Sequence, residues 1–341
     1  MQLSDYTYDL PDTAIATHPP KLRGETKLLV LDKKDGSIQD SYYRELDNFL
    51  RAGDVLVVNN TKVIPARLLV KTASGADREL LLLEKHGKQA DHHTSLVMYR
   101  RKIRTGQELF AGDASISVDE VFPNGTARIH SATDLWELAE AIGSVPLPPY
   151  MHREEEPGDR ERYQTVFAKE KGSVAAPTAS LNMTPKLLTK IADKGVEICE
   201  LTLHVGLGTF MPIRVEDVTK HTMHQEYFEI PDSTAESIRK AKEEGRRIIA
   251  VGTTVTRTLE FAAPHILSDA KDISGEADIF IYPGYTFKII DGLLTNFHAP
   301  ESTVLMMAAA FAGWGNLKHA YDHALESNYT FLSYGDSMLI Q

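Results

Sequence analysis

The chain reads as an α/β protein in which a mostly parallel sheet domain is interrupted by an inserted small antiparallel β-barrel. Three observations predict this. Its 341 residues exceed what one hydrophobic core usually organises, so two domains are expected. Between about Val63 and Ile129, short apolar runs recur between turn dipeptides, the texture of a small barrel. Beyond Thr184, strand and helix signals alternate, as in a sheet with helices packed on it. The barrel is placed at residues 63–145. The α/β domain is then discontinuous, residues 1–62 plus 146–341.

In chain order, Lys27–Asp32 (KLLVLD) and Asp54–Asn59 (DVLVVN) are apolar runs that suit buried strands, with a turn at Asp35-Gly36 after the first. Ala66–Lys71, Glu79–Glu84, Ser95–Tyr99, Ser115–Phe122 and Ala127–Ile129 supply barrel strands. Ser74-Gly75, Thr105-Gly106, Ala111-Gly112 and Asn124-Gly125 supply turns. Asp134–Ile142 reads as a helix ended by Gly143. Pro146-Leu147-Pro148-Pro149 is a stiff connector, and Arg153–Arg162 a charged loop. Thr184 caps a helix over Lys186–Lys194, with Pro185 in its first turn and Gly195 at its end. Val196–His204 reads as a strand. Ser233-Thr234-Ala235-Glu236 is a capping box for a helix that Gly245 ends. Ile248–Val251, Asp278–Tyr282 and Ile289–Leu294 read as strands, and Ser302–Ala312 and Asn316–Ser327 as helices.

Composition narrows the function. Hydrophobic residues are 42% and charged residues 25%, an ordinary globular profile. The net charge of −11 argues against broad, non-specific binding to nucleic acid, whose affinity comes mainly from phosphate neutralisation. It leaves room for a local patch at Arg100-Arg101-Lys102-Ile103-Arg104. Beside Tyr99, that run is either a guarded strand edge or a contact for a base and phosphate. Cys199 lies in the apolar run Val196–Leu203 and reads as a core thiol. Met1-Gln2-Leu3-Ser4-Asp5 lacks the features of a secretory signal, and no apolar run approaches the ~20 residues of a membrane span. A cytoplasmic protein without a membrane partner is expected.

Candidate site residues concentrate between Tyr163 and Glu226. Tyr163-Gln164-Thr165, Ala176-Pro177-Thr178, Ser180 and Asn182, His204 with Gly206, Gly208, Thr209 and Phe210, and His221-Thr222-Met223-His224-Gln225-Glu226 mix small residues with polar groups. Gly and Ala let a backbone approach a ligand, which the polar groups then orient. His221, His224 and Glu226 are open to three readings: a metal-binding face, an acid/base group beside a carboxylate, or structural hydrogen bonding. No second Cys/His cluster closes a metal shell. Gly252-Thr253-Thr254, between strand and helix, resembles an anion cradle, with Arg257 one turn later. Pro283-Gly284, Asn296 and His298, and Asp336 complete the set, mostly in loops beyond strands.

Together these segments resemble one family over nearly the whole chain, the S-adenosylmethionine:tRNA ribosyltransferase-isomerases of the queuosine pathway. The resemblance rests on Tyr6–Pro11, Gly53–Leu68, Pro146–Tyr150, Tyr163–Val166, Ala175–Ala179, Leu203–Gly206, Val251–Thr254, Thr295–His298 and Tyr334–Asp336. It implies an α/β domain interrupted by a barrel, and S-adenosylmethionine as co-substrate with no metal. The implied partner is a tRNA bearing a 7-aminomethyl-7-deazaguanine anticodon base. Ribosyl transfer and isomerisation would give epoxyqueuosine, releasing adenine and methionine. His204, His221, His224, Glu226, His298 and Asp336 become candidates for the proton transfers, Arg257 with Thr253 and Thr254 for an anion, and Tyr163 and Phe210 for stacking on a base. A monomer is expected. The chain departs from the family pattern at Ser180 (usually Gly), Asn182 (usually His) and Thr330 (usually Arg). Those departures keep open a paralogue acting on another acceptor, and a silent S-adenosylmethionine- or RNA-binding protein.

Overall fold

A computed structural model describes residues 1–83, 91–206, 213 and 215–341. In chain order its strands are β1 (Lys27–Leu31), β2 (Ile38–Tyr42), β3 (Val55–Asn59), β4 (Thr61–Val63), β5 (Arg67–Thr72), β6 (Asp77–Leu82), β7 (Thr94–Arg100), β8 (Glu108–Ala111), β9 (Ala114–Val121), β10 (Thr126–His130), β11 (Glu170–Ser173), β12 (Glu197–Leu203), β13 (Glu226–Ile230), β14 (Ile248–Val251), β15 (Ile273–Ala277), β16 (Gly292–Asn296) and β17 (Ser337–Ile340). The helices are α1 (Leu135–Ile142), α2 (Asp159–Arg162), α3 (Pro185–Asp193), α4 (Asp232–Glu243), α5 (Thr253–Phe261), α6 (Ala263–Ile266), α7 (Thr303–Ala312) and α8 (Trp314–Glu326).

Nine strands form one mixed sheet in the order β15-β13-β12-β3-β14-β16-β17-β1-β2. Its centre, β12-β3-β14-β16, is parallel. The edges turn antiparallel at β13, β15, β17 and β2. Successive residues point to opposite faces, and both faces are covered, which is why the strands read as continuous apolar runs. Val55 and Val57 pack with Ile238 of α4, Leu259 of α5 and Leu305 of α7. Leu56 and Val58 pack against Leu46 and, from α3, Leu187 and Ile191. Cys199 sits in the first of these cores, where burial pushes its thiol up to about 11.

The insertion is a closed antiparallel barrel, β10-β7-β6-β5-β8-β9. Leu68, Val70, Leu80, Val97 and Ile116 fill it, and α1 plugs it with Leu135, Leu138 and Ala139. Of these strands, Glu108–Ala111 is not expected from the sequence, being only four residues long.

Local chemistry explains most boundaries. Thr184 accepts from Leu187 N at 3.1 Å to open α3, Asp134 accepts from Trp136 N at 2.8 Å to open α1, and Ser302 caps α7. The expected capping box at Ser233 is not the start of α4. The helix begins at Asp232 after Pro231, without a side-chain cap. The strand expected at Asp278–Tyr282 lies instead at Ile273–Ala277, where register with β13 aligns Ile273 with Ile230. Asp278–Tyr282 has left the sheet, and its Phe280 and Ile281 line a cavity. Among the described residues, no helix is long and apolar enough to cross a membrane.

Candidate active site

The site is built where the parallel strands end. Asn59, fully buried at the last position of β3, uses its side chain as a further strand residue. Its amide donates to Leu203 O at 2.9 Å and its oxygen accepts from Leu203 N at 3.1 Å. The same amide reaches Thr254 Oγ1 at 3.3 Å. β3 and β12 are thus stitched together beyond the last ladder bond. Ser173 continues the frame: its Oγ donates to Ala175 O and accepts from Val205 N, fixing Val205 as a wall.

Beyond these ends lies a cavity of about 380 Å³. Thr253 and Thr254 from the first turn of α5 and Ser302 and Thr303 from the start of α7 supply its polar rim. Ile279, Phe280, Ile281, Val304 and Met307 supply an apolar wall. The N-cap of α5 is Gly252, at φ +95, so no side chain occupies the amides that open this helix. That leaves a positive helix end facing the cavity.

The floor is an ion pair. Glu226 and Arg257 are 3% and 7% exposed, and the Arg257 Nη1 donates directly to Glu226 Oε2. Arg257 also donates to Ala277 O at 3.1 Å, Ile279 O at 3.3 Å and His224 O at 3.4 Å. Glu226 Oε1 accepts from Gly206 N at 3.0 Å. The guanidinium therefore ties β13, β15 and the Ile279 segment together, and the cradle's exposed donors are those of α5.

Four candidate histidines stand near this cavity without lining it. His221 packs edge-on against Phe280 at 5.2 Å, and burial, then nearby His224, lower its pKa below the usual 6.5. His224 contributes its carbonyl to Arg257. His298 precedes the lining residues Ala299 and Pro300; its Nε2 meets Thr295 Oγ1 at 2.8 Å, and burial brings its pKa down to about 4. His204, 5% exposed, meets Thr61 Oγ1 through Nδ1 at 2.8 Å and stacks on Tyr227. A Cβ on Gly172 would stand 2.4 Å from its ring, so β11 passes this imidazole only as glycine.

The other sequence candidates form a second, enclosed group behind the strand ends. Thr178 donates to Asn296 Oδ1 at 2.8 Å, and Asn296 donates to Asp336 O at 3.4 Å. Asp336 accepts from Lys27 N at 2.5 Å, Thr330 N at 2.6 Å and Thr330 Oγ1 at 3.0 Å. Burial raises its pKa, with those bonds pulling the other way. Asn182, 2% exposed, donates to Gly335 O at 3.4 Å, and the fully buried Ser180 hydroxyl has no hydrogen-bond partner. Ser180, Asn182 and Thr330, the three departures, all belong here and not to the cavity.

Gln164 pairs with both backbone groups of Val63, at 3.0 and 2.7 Å, closing the end of β4. Tyr163, 1% exposed, meets Tyr334 edge-on at 5.9 Å. Thr165, Ala176 and Pro177 do not line the cavity, and Pro283-Gly284 form a turn beyond it. Gly208, Thr209 and Phe210 lie outside the described residues. Sequence reasoning passed over Asn59, the apolar wall at Ile279–Ile281, and Glu260. Its buried carboxylate accepts from Lys288 N, Ile289 N and Ile290 N. Only Asn59 carried a signal, an amide ending an apolar run. Among the described residues, no three His, Cys, Asp or Glu are grouped to hold a metal.

A cavity of this size beyond the carboxyl ends of a parallel sheet, with an open helix terminus and an apolar wall, is that of a small-molecule α/β enzyme. Comparison gives the family. The queuosine biosynthesis protein family model matches residues 3–340. The S-adenosylmethionine:tRNA ribosyltransferase-isomerase of Chlorobaculum parvum is 55% identical over 344 residues, and that of Desulfitobacterium hafniense 46% over 346, each covering all of both chains. The crystal structure of the S-adenosylmethionine tRNA ribosyltransferase from Thermotoga maritima matches at 33% identity and a TM-score of 0.58, covering 99% of this chain and 100% of that one. The chain belongs to this queuosine biosynthesis family, whose curated members are enzymes.

Proposed function

We propose that the chain transfers and isomerises the ribosyl moiety of S-adenosylmethionine onto 7-aminomethyl-7-deazaguanine in a tRNA anticodon, giving epoxyqueuosine, adenine and methionine. The observation that carries this reading is the open first turn of α5 facing a 380 Å³ cavity with one apolar wall. An amino-acid carboxylate suits the helix terminus, and a thioether and an aromatic base suit Ile279–Ile281 and Met307.

The chemistry needs few protein groups. A sulfonium acidifies the adjacent C5′ hydrogens, so one base suffices to remove a proton. Adenine departs once a ring nitrogen takes up a proton. The acceptor amine attacks as the neutral form, and epoxide closure expels methionine as a thioether. His221, kept neutral at pH 7 by a pKa that burial lowers, packs on the wall residue Phe280 and is the favoured base provided its ring turns past Phe280 into the cavity. Glu226, bound to Arg257, serves as an anchor for the floor. His204, His224, His298 and Asp336 hold backbone and neighbouring side chains in place. The test mixes the protein with S-adenosylmethionine and tRNA carrying the aminomethyl base. Adenine release with a nucleoside of epoxyqueuosine mass supports the reading. S-adenosylmethionine binding without either product would overturn it.

A further inference from the structure

We infer that the turn leaving β7, together with the groove beneath it, is a docking surface for single-stranded RNA. The inference rests on the reading above only for the identity of that RNA, an anticodon loop.

The groove runs between the barrel and the Pro148-Pro149 connector. Its two arms, about 490 and 110 Å³, share Arg67, Glu79, Arg100 and Pro149 and so form one channel. The barrel builds its wall by register. Leu69 stands opposite Glu79, and Glu79 opposite Arg100, across three adjacent strands. Glu79 holds Arg67 at 3.5 Å and Arg100 at 3.8 Å, so both guanidiniums are fixed beside the channel. Leu69 is 72% exposed and borders the wider arm. Tyr99 lines the narrower arm. The narrower arm, with Leu81, Met98 and Tyr99 between Arg67 and Arg100, suits an unstacked base, while the wider arm also carries Glu154 and Glu155, so phosphates are held at the turn and not in that arm.

Charge selects the same partner. At the end of β7 the chain turns outward at Arg101, whose φ is +64. Arg101, Lys102 and Arg104 are exposed, and among the described residues none of the three is in an ion pair with a carboxylate. Arg78 braces the turn by donating to Lys102 O at 2.9 Å. Three cations on one braced turn, none paired with a carboxylate among the described residues, match closely spaced phosphates in a chain of net charge −11.

The test replaces Arg101, Lys102 and Arg104 with Gln in the full chain. A control carries Lys186→Gln, Lys190→Gln and Lys220→Gln, which removes equal charge elsewhere. Binding of a labelled anticodon stem-loop is measured by anisotropy across a salt series, and adenine release is measured separately. The turn variant should bind about 10-fold or more weakly, with a salt slope shallower by about 2, since each lost phosphate contact removes roughly 0.7. Adenine release at saturating RNA should stay within about 2-fold, and the control should match the wild type in every readout. Equal behaviour of the two variants, or a wild type that does not bind the stem-loop, overturns the inference. A wild type that binds through this turn but releases no adenine keeps the docking surface and overturns the enzymatic reading instead.

Discussion

Two buried carboxylates, Glu226 and Asp336, separate the two polar regions of this molecule. They are almost equally enclosed, at 3% and 5% exposed. Glu226 faces a guanidinium at the floor of an open cavity. Asp336 accepts from two backbone amides and a hydroxyl, and it does not line that cavity. Both lie in motif-rich sequence. The difference teaches that motif density marks the neighbourhood of a site, while empty volume marks the site itself. The enclosed group pins the starts of β1 and β17, and so sets where the strand ends lie around the cavity.

Breaking the ion pair should have the largest effect. Arg257→Met leaves a buried carboxylate unpaired and should cost about 3–5 kcal/mol. Adding Glu226→Gln should recover much of that, because the amide still accepts from Gly206 N. Urea unfolding of the singles and the double reads the coupling, and strict additivity would show that the pair is not one unit. Next, His221→Gln should lower kcat/KM by roughly 10²-fold if this imidazole is the base. In the wild type, activity should rise with pH through a pKa below 6.5 and then level off, because the neutral ring is the active form. An acid limb that persists in the variant would move the role to another group.

Asp336→Asn should cost about 1–3 kcal/mol, since an NH2 then faces Lys27 N or Thr330 N. Its pH dependence has an unusual sign. The folded pKa is raised above 3.8, so the folded state binds more protons than the unfolded one between 3.8 and the raised value. Wild-type stability from this group therefore falls as pH rises through that window, and the deficit of the variant should shrink with it. A deficit that instead grows with pH would show Asp336 to be stabilised as the anion. The smallest effect is expected for Thr330→Ala, about 0.5–1.5 kcal/mol, because Thr330 N still donates to Asp336. Cys199 offers a check on the core. With its thiol near 11, it should resist iodoacetamide at pH 8 until the protein unfolds.

The strands, the helix caps and the barrel texture were legible because local chemistry specifies them. Thr184-Pro185, Gly195 and the turn glycines act within a few residues of themselves. One error was local, the capping box expected at Ser233 where α4 opens at Asp232 after Pro231; the others came from partners distant in sequence. Asp278–Tyr282 and Ile273–Ala277 are both plausible strands, and only register with β13 chose between them. The motif residues were legible as a group, but their division into cavity and support was not. Gln164 looks like a ligand contact until Val63, 101 residues earlier, occupies both ends of its amide.

By itself, the sequence determined the class of fold, the caps and turns, the family resemblance and the list of polar residues that matter. Periodicity and turn chemistry are local, and a motif is read one residue at a time. Tertiary structure alone decided that Arg257 belongs to Glu226, that Asp336 is filled by Lys27 and Thr330, and that a segment outside the sheet walls the cavity. Those outcomes depend on where strands stop relative to one another, and strand ends are set by packing across the whole sheet.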